Sequence, residues 1–197
     1  MDETSGRLSV RSPHSVLFLS LYAIALLVAA SAASASGLPQ SRAHASLLAS
    51  RSPAPSFKVC GNVRHTTTFT VAPLEKMRTV SATYFSIGGH PTTKQHTHFV
   101  GVRLINILKV AGLKKGAKTV TVRGSDGYSA TFTLKQVKAT YIDQTRPHAR
   151  LYMIIAYKQG HKLLTGRHPF RVVMGQQFEG DYNRMYWVYW VTTITVR

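Results

Sequence analysis

The sequence predicts an α+β fold, mixed and strand-rich, with one or two helices. Three observations predict it. β-branched and apolar residues alternate in several short segments, as in residues 118–123, where Val120 and Val122 share a face. Residues 102–110 carry the best helical pattern of the domain, with Leu104, Ile105, Leu108 and Ala111 on one side and Gly112 as the stop. Turn signals separate the rest: Gly88-Gly89, Ser125-Asp126-Gly127 and Gly160-His161-Lys162.

The 197 residues suit one domain and an N-terminal extension. In the extension Arg7 and Arg11 precede an apolar run, residues 16–30, broken only by Ser20. Small-x-small sites follow at Ala33-Ser34-Ala35 and Ala43-His44-Ala45. A basic start, an apolar middle and a small-residue end make residues 1–45 a signal peptide, with cleavage expected near 35 or 45. The alternative is an uncleaved membrane anchor. The run is marginal for a full span and dissolves into Ala and Ser, which favours cleavage and leaves no stable span afterwards. Three residues separate Arg7 from Arg11, so no twin-arginine pair marks export of a folded chain. The expected location is secreted, extracellular or periplasmic.

Residues 46–56, rich in Ser, Ala and Pro, read as a linker, and the folded domain is expected over 57–197. Residues 57–63 open it as a strand, with 66–71 as a hairpin partner or extended arm. Pro73 to Met77 suggests a helical turn. Residues 79–87 alternate as a strand closed by Gly88-Gly89, and 95–100 lead into the helix at 102–110. Strands are expected at 118–123 and 128–134 around the Ser125-Asp126-Gly127 turn. A buried-type run at 151–157, a short strand at 170–174 and a final strand or strand pair at 186–196 complete the domain.

Charge is the dominant compositional feature. From Ser46 onward there are 22 Lys and Arg against 5 Asp and Glu, a difference of +17, scattered along the whole domain. Such a surface attracts small or polymeric anions, an acidic envelope polysaccharide among them. Nucleic acid is disfavoured as a partner. The aromatic run Tyr182, Tyr186, Trp187, Tyr189, Trp190 invites stacking, but closing-strand aromatics are more often half-buried, and secretion separates the protein from nucleic acid. Cys60, the single cysteine, reads as a small buried hydrophobe. His96-Thr97-His98 would place two rings on one strand face, yet with His65 and His90 they find no third ligand, so no metal site is expected. No Ser-His-Asp elbow, phosphate-cradling glycine loop or carboxylate pair supports hydrolysis or nucleotide turnover.

Three motifs in order carry a resemblance. Residues Gly101-Val102-Arg103-Leu104-Ile105-Asn106-Ile107-Leu108 come first, then Gly124-Ser125-Asp126-Gly127-Tyr128, then Pro169-Phe170-Arg171-Val172-Val173. With Ile155-Ala156-Tyr157 and the ending Ile194-Thr195-Val196, this order resembles the oxidoreductase molybdopterin-binding domain of sulfite-oxidase-like enzymes. The resemblance implies a basic pocket for a pterin dithiolene and oxygen-atom transfer at molybdenum. It also exposes departures. In the resembling enzymes a cysteine thiolate upstream of Gly-Val-x-Leu holds the metal, and residues 79–100 contain Ser, Thr, Tyr and His but no Cys. Thr83, Tyr84 or Ser86 would offer only a neutral oxygen, and Met174 stands where the family usually has Pro.

The resulting expectation is a sulfite-oxidase-like scaffold that takes an anionic ligand without conventional molybdenum catalysis. No cofactor is expected, with molybdopterin as the alternative, held by a non-cysteine ligand in an oxidoreductase. A basic cell-envelope interaction protein is the third reading. Asp126, Tyr128 and Arg171 are the candidate cofactor-binding residues. For Asp126 an Asx-type turn, for Tyr128 core packing and for Arg171 a structural ion pair are the competing roles.

Overall fold

The computed structural model of the chain describes residues 53–197. The signal segment, the membrane-anchor alternative and most of the linker fall on residues 1–52, outside the described residues. No helix among the described residues is long and apolar enough to cross a membrane.

Alternation builds the first elements. In β1 (Phe57–Gly61) Phe57 and Val59 are buried and Lys58 is exposed, and β2 (Thr67–Phe69) returns antiparallel with Phe69 opposite Phe57. The short helix α1 (Val71–Glu75) buries Leu74. A long hairpin follows, β3 (Thr79–Gly88) and β4 (Thr93–Arg103), in register from Thr79 opposite Val102 to Gly88 opposite Thr93. Helix α2 (Leu104–Val110) buries Leu104, Ile105, Ile107 and Leu108 and ends where Gly112 takes φ 76°. Its start corrects the sequence expectation. Val102 and Arg103 remain strand, because Val102 pairs with both β3 and β9 and Arg103 with β9, and the Leu104 N–H goes to Met153 O at 2.9 Å.

β5 (Thr119–Gly124) and β6 (Ser129–Thr133) form the expected hairpin. Helix α3 (Leu134–Lys138) adds a third short α-helix among the described residues, within the expected α+β class. Its signal is local: the Thr133 side chain accepts from Gln136 N–H while the Gln136 side chain accepts from Thr133 N–H, a capping box. β7 (Thr140–Tyr141) follows. The apolar run at 151–157 divides at Met153 into β8 (Leu151–Tyr152), which pairs with β7, and β9 (Ile154–Gln159). β10 (Lys162–Leu163), β11 (Arg171–Val173) and β12 (Val191–Val196) complete the order. The expected strand at 186–196 is therefore strand only from Val191; residues Asn183–Tyr186 form a 3-10 turn instead.

One sheet runs β2-β1-β12-β5-β6, with β1 parallel to β12, and a second runs β10-β9-β4-β3, with β11 also on β9. Both sheets feed one core. Phe57 meets Phe170 edge to face at 4.9 Å between centroids, and Phe99 meets Trp187 at 5.5 Å. Each large apolar side chain taken fully out of water contributes about 1.5–3 kcal/mol.

Gly101, first residue of the Gly-Val-x-Leu motif, is required by close approach. A Cβ there would lie 2.3 Å from Ile155 O and 2.7 Å from Ala156 Cα, at the point where the β4–β9 register shifts. Gly101→Ala is expected to cost about 1–3 kcal/mol through overpacking, read as a lower midpoint in chemical denaturation.

Among the described residues two ion pairs form, Lys158 with Glu75 at 3.0 Å and Arg146 with Asp143. Asp143 is buried, and its carboxylate accepts from Thr145 N–H at 2.9 Å, Thr145 Oγ1 at 2.6 Å and Arg146 Nε at 2.8 Å. Burial alone would raise this carboxyl; the bonds from Thr145 and Arg146 outweigh it and hold it below its ordinary value. A lowered folded value means stability that is present above the unfolded carboxyl value, about 4, and lost as pH falls through the folded one. Asp143→Ala is expected to cost about 2 kcal/mol at neutral pH. It should also flatten the acid limb of stability against pH, followed by denaturant melts from pH 7 downward.

Candidate functional site

A buried amide assembles the site. Asn183 is fully buried. Its Oδ1 accepts from Ile87 N–H at 3.1 Å, and its Nδ2 donates to Phe85 O at 3.0 Å and Met174 O at 3.1 Å. The Trp187 indole donates to the same Met174 carbonyl at 3.0 Å. These bonds lay the 182–190 segment along the end of β3, where backbone donors and acceptors are already spent on side chains and a strand cannot continue. Gly88 makes the approach feasible, since a Cβ on it would lie 2.7 Å from Arg184 Cβ. Arg184 is steadied in turn, with Nη1 donating to Thr93 Oγ1 at 2.9 Å while Thr93 Oγ1 donates to Gly88 O at 2.8 Å.

Between these parts lies an open cavity of about 430 Å³, lined by Gly88, Gly89, Tyr182, Arg184, Met185 and Tyr189. Two cations lie near Tyr189. Arg184 lines the cavity with it, and the Arg171 guanidinium stacks 4.0 Å from the Tyr189 centroid and 5.5 Å from that of Phe99. Burial lowers the Arg171 pKa from its ordinary value; Tyr189 opposes that and the Arg184 charge adds to it. The two guanidiniums therefore repel one another. An anion between or above them would relieve that repulsion.

Trp190 holds a left-handed backbone, φ 49°, at the start of β12, where the β12–β5 register shifts. Such a conformation costs on the order of 1–3 kcal/mol and persists only when its surroundings enforce it. Its carbonyl accepts from Ser125 N–H at 2.9 Å. The ring lines a second, small cavity of about 30 Å³ with His168, Phe170 and Arg171, room for one water, and His168 Nδ1 is buried there without a hydrogen-bond partner.

Two of the three candidate residues converge on the 182–190 segment. Arg171 reaches it by stacking, and Tyr128 by donating its hydroxyl to Met185 O. Arg171 forms no ion pair among the described residues. Asp126 does not line the cavity. Its Oδ1 accepts from Tyr128 N–H at 3.0 Å, closing the Asx-type turn that competed with a ligand role. Sequence reasoning missed Arg184 and Asn183. A usable signal was present, since Arg184 is the lone basic residue within the aromatic run 182–190.

The remaining chemistry-bearing residues lie elsewhere. His96 Nε2 bonds Thr145 Oγ1 at 2.8 Å and His98 Nε2 bonds Ser81 Oγ at 3.0 Å, and the described residues hold no group of three metal-ligating side chains. Cys60 is half-buried rather than buried. It alternates with inward-facing Phe57 and Val59 on β1, so its thiol turns away from the core toward Thr195 Oγ1, 3.8 Å away, on the other sheet from β3.

Comparison with known proteins bears on this geometry. The family model described as oxidoreductase molybdopterin binding domain matches residues 50–197. Nitrate reductase [NADH] of Volvox carteri is 36% identical over 95 residues, covering 43% of this chain and 10% of that protein. The crystal structure of sulfane dehydrogenase SoxCD from Paracoccus pantotrophus superposes with a TM-score of 0.53 at 20% identity, covering 72% of this chain and 38% of that one. The chain thus spans about a tenth of the curated relative and well under half of the solved neighbour, and the structural likeness is one of fold. Asn183→Ala is expected to leave Phe85 O and Ile87 N–H without their partner, and Met174 O with the Trp187 indole alone, and to cost about 2–4 kcal/mol. Faster amide exchange at Ile87 and Trp187 than elsewhere in the core would locate that loss.

Proposed function

The chain belongs to the oxidoreductase molybdopterin-binding domain family, and from that membership we propose that it binds an anionic ligand without conventional molybdenum catalysis. The donor set carries this reading. A cysteine thiolate is the soft, anionic ligand that the metal calls for. Cys60 points away on the other sheet. Of the oxygens at 83–86, the Tyr84 hydroxyl is committed to Tyr152 O at 2.9 Å, and burial raises its pKa above the ordinary value. Ser86 Oγ is buried without a partner, two residues before Gly88, but it is neutral at pH 7. These residues do not fit a thiolate-held metal. They do fit an anion, through Arg184 at the cavity wall and Arg171 stacked on Tyr189.

In the proposed complex Arg184 takes the anionic group as a planar fork, while Tyr182 and Tyr189 offer flat faces to the rest of the ligand. Arg171, held by its stack on Tyr189, adds positive potential. Tyr128 keeps the Met185 wall in place. Secretion, read from residues 1–45, completes the proposal. An oxidoreductase with an oxygen ligand is the second reading, and the unpartnered Ser86 hydroxyl favours it.

Two measurements on the native mature protein test the proposal. Elemental analysis is expected to find molybdenum far below one per chain; a value near one would establish the second reading. Fluorescence titration with pterin-6-carboxylate, an aromatic anion, is expected to show saturable binding that Arg184→Ala weakens by about tenfold to a hundredfold, the loss of one charge-assisted contact. Binding that is absent, or unmoved by Arg184→Ala, would sink the assignment of this cavity.

A further inference from the structure

A third cavity, about 450 Å³, lies at the other end of the β3–β4 hairpin, lined by Arg78, Thr79, Val80, Arg103, Asn106 and Tyr152. Thr79 pairs with Val102, so Arg78 and Arg103 are the next residues along, facing one another across the open end of the hairpin. Like charges placed opposite on paired strands destabilise the pair. Neither has a carboxylate partner among the described residues; Glu75, three residues before Arg78, is taken by Lys158 at 3.0 Å.

Arg103 is also pre-positioned. Its guanidinium carbon sits 3.8 Å above the centroid of the Tyr152 ring. The Tyr152 carbonyl is held by Tyr84 Oη at 2.9 Å, and the neighbouring Met153 carbonyl by Leu104 N–H at 2.9 Å. A guanidinium stacked by its face keeps its edge donors for a ligand and loses little freedom on binding one. Asn106, one position into the second half-turn of α2, contributes an amide to the same wall.

We propose that this cavity is a binding site for a phosphate group, separate from the cavity of the 182–189 segment. Two guanidinium forks supply the charge and the paired donors that a tetrahedral dianion takes up, and its binding cancels the repulsion between Arg78 and Arg103. The site is built at the Gly-Val-Arg-Leu motif and owes nothing to Arg171 or Arg184.

The test uses calorimetric titration of inorganic phosphate into the Arg184→Ala protein, so that the first cavity does not contribute. One saturable site is expected. Arg78→Gln, at an exposed position, should weaken it at least tenfold without lowering the thermal midpoint measured in phosphate-free buffer. Arg103→Lys keeps the charge but loses the fork and should weaken it to a similar degree. Glycerol 3-phosphate run in parallel separates the sources: tighter binding than inorganic phosphate assigns the ligand as a phosphate ester, weaker binding as free phosphate. No saturable heat with either probe, or binding unchanged in both Arg78→Gln and Arg103→Lys, would overturn the proposal, whatever happens to pterin-6-carboxylate at the first cavity.

Discussion

Asn183 spends both halves of its amide on backbone from two elements, Phe85 and Ile87 of β3 and Met174 just beyond β11, and the candidate site inherits its position from that set of bonds. Arg184 is its chain neighbour, so fixing one places the other against Gly88. Trp187 uses the same Met174 carbonyl to lock its ring against Phe99 in the core. A buried polar group of this kind is worth most when every lone pair and proton is used, and costly when any is orphaned. The site is therefore tied to the core by polar satisfaction as well as by apolar burial.

Charge acts on a different scale. Of the five carboxylates in the described domain, Glu75 and Asp143 are in ion pairs, and Asp126 and Asp181 accept backbone N–H groups, at Tyr128 and Gln177. Most Lys and Arg side chains thus have no acid to turn to. On an open surface water and salt screen them. Where two guanidiniums are instead gathered close together, as at Arg171 with Arg184 and at Arg78 with Arg103, they repel one another and an anion is the natural counter-charge.

Much of the fold was legible because local pattern and tertiary demand agree in it. Phe57, Val59, Val120 and Val122 alternate in sequence and alternate into the core, and Gly112 ends α2 as its position suggests. Reading failed where backbone partners came from far along the chain. Val102 and Arg103 have helical spacing but are claimed by β3 and β9, and residues 186–190 have strand composition but are bent away by Asn183 and by the left-handed Trp190. At the site, motif order brought Tyr128 and Arg171 into view. Arg184 and Asn183 escaped because their roles depend on contacts across some ninety residues of sequence, with Thr93 and with Phe85 and Ile87. The absence of cysteine was visible as soon as residues 79–100 were read; that Cys60 lies on the other sheet from β3 required the topology.

β3 is the outermost strand of its sheet and, at ten residues, a long one. Three backbone groups of alternate residues along it are occupied by side chains: Thr83 O by Arg146, then Phe85 O and Ile87 N–H by Asn183. A bare edge of this length is a template for chain-to-chain assembly and aggregation. The segment that frames the cavity, through Asn183, therefore also covers part of that edge, so the same bonds that place the cavity deny a further strand its partners at Phe85 and Ile87.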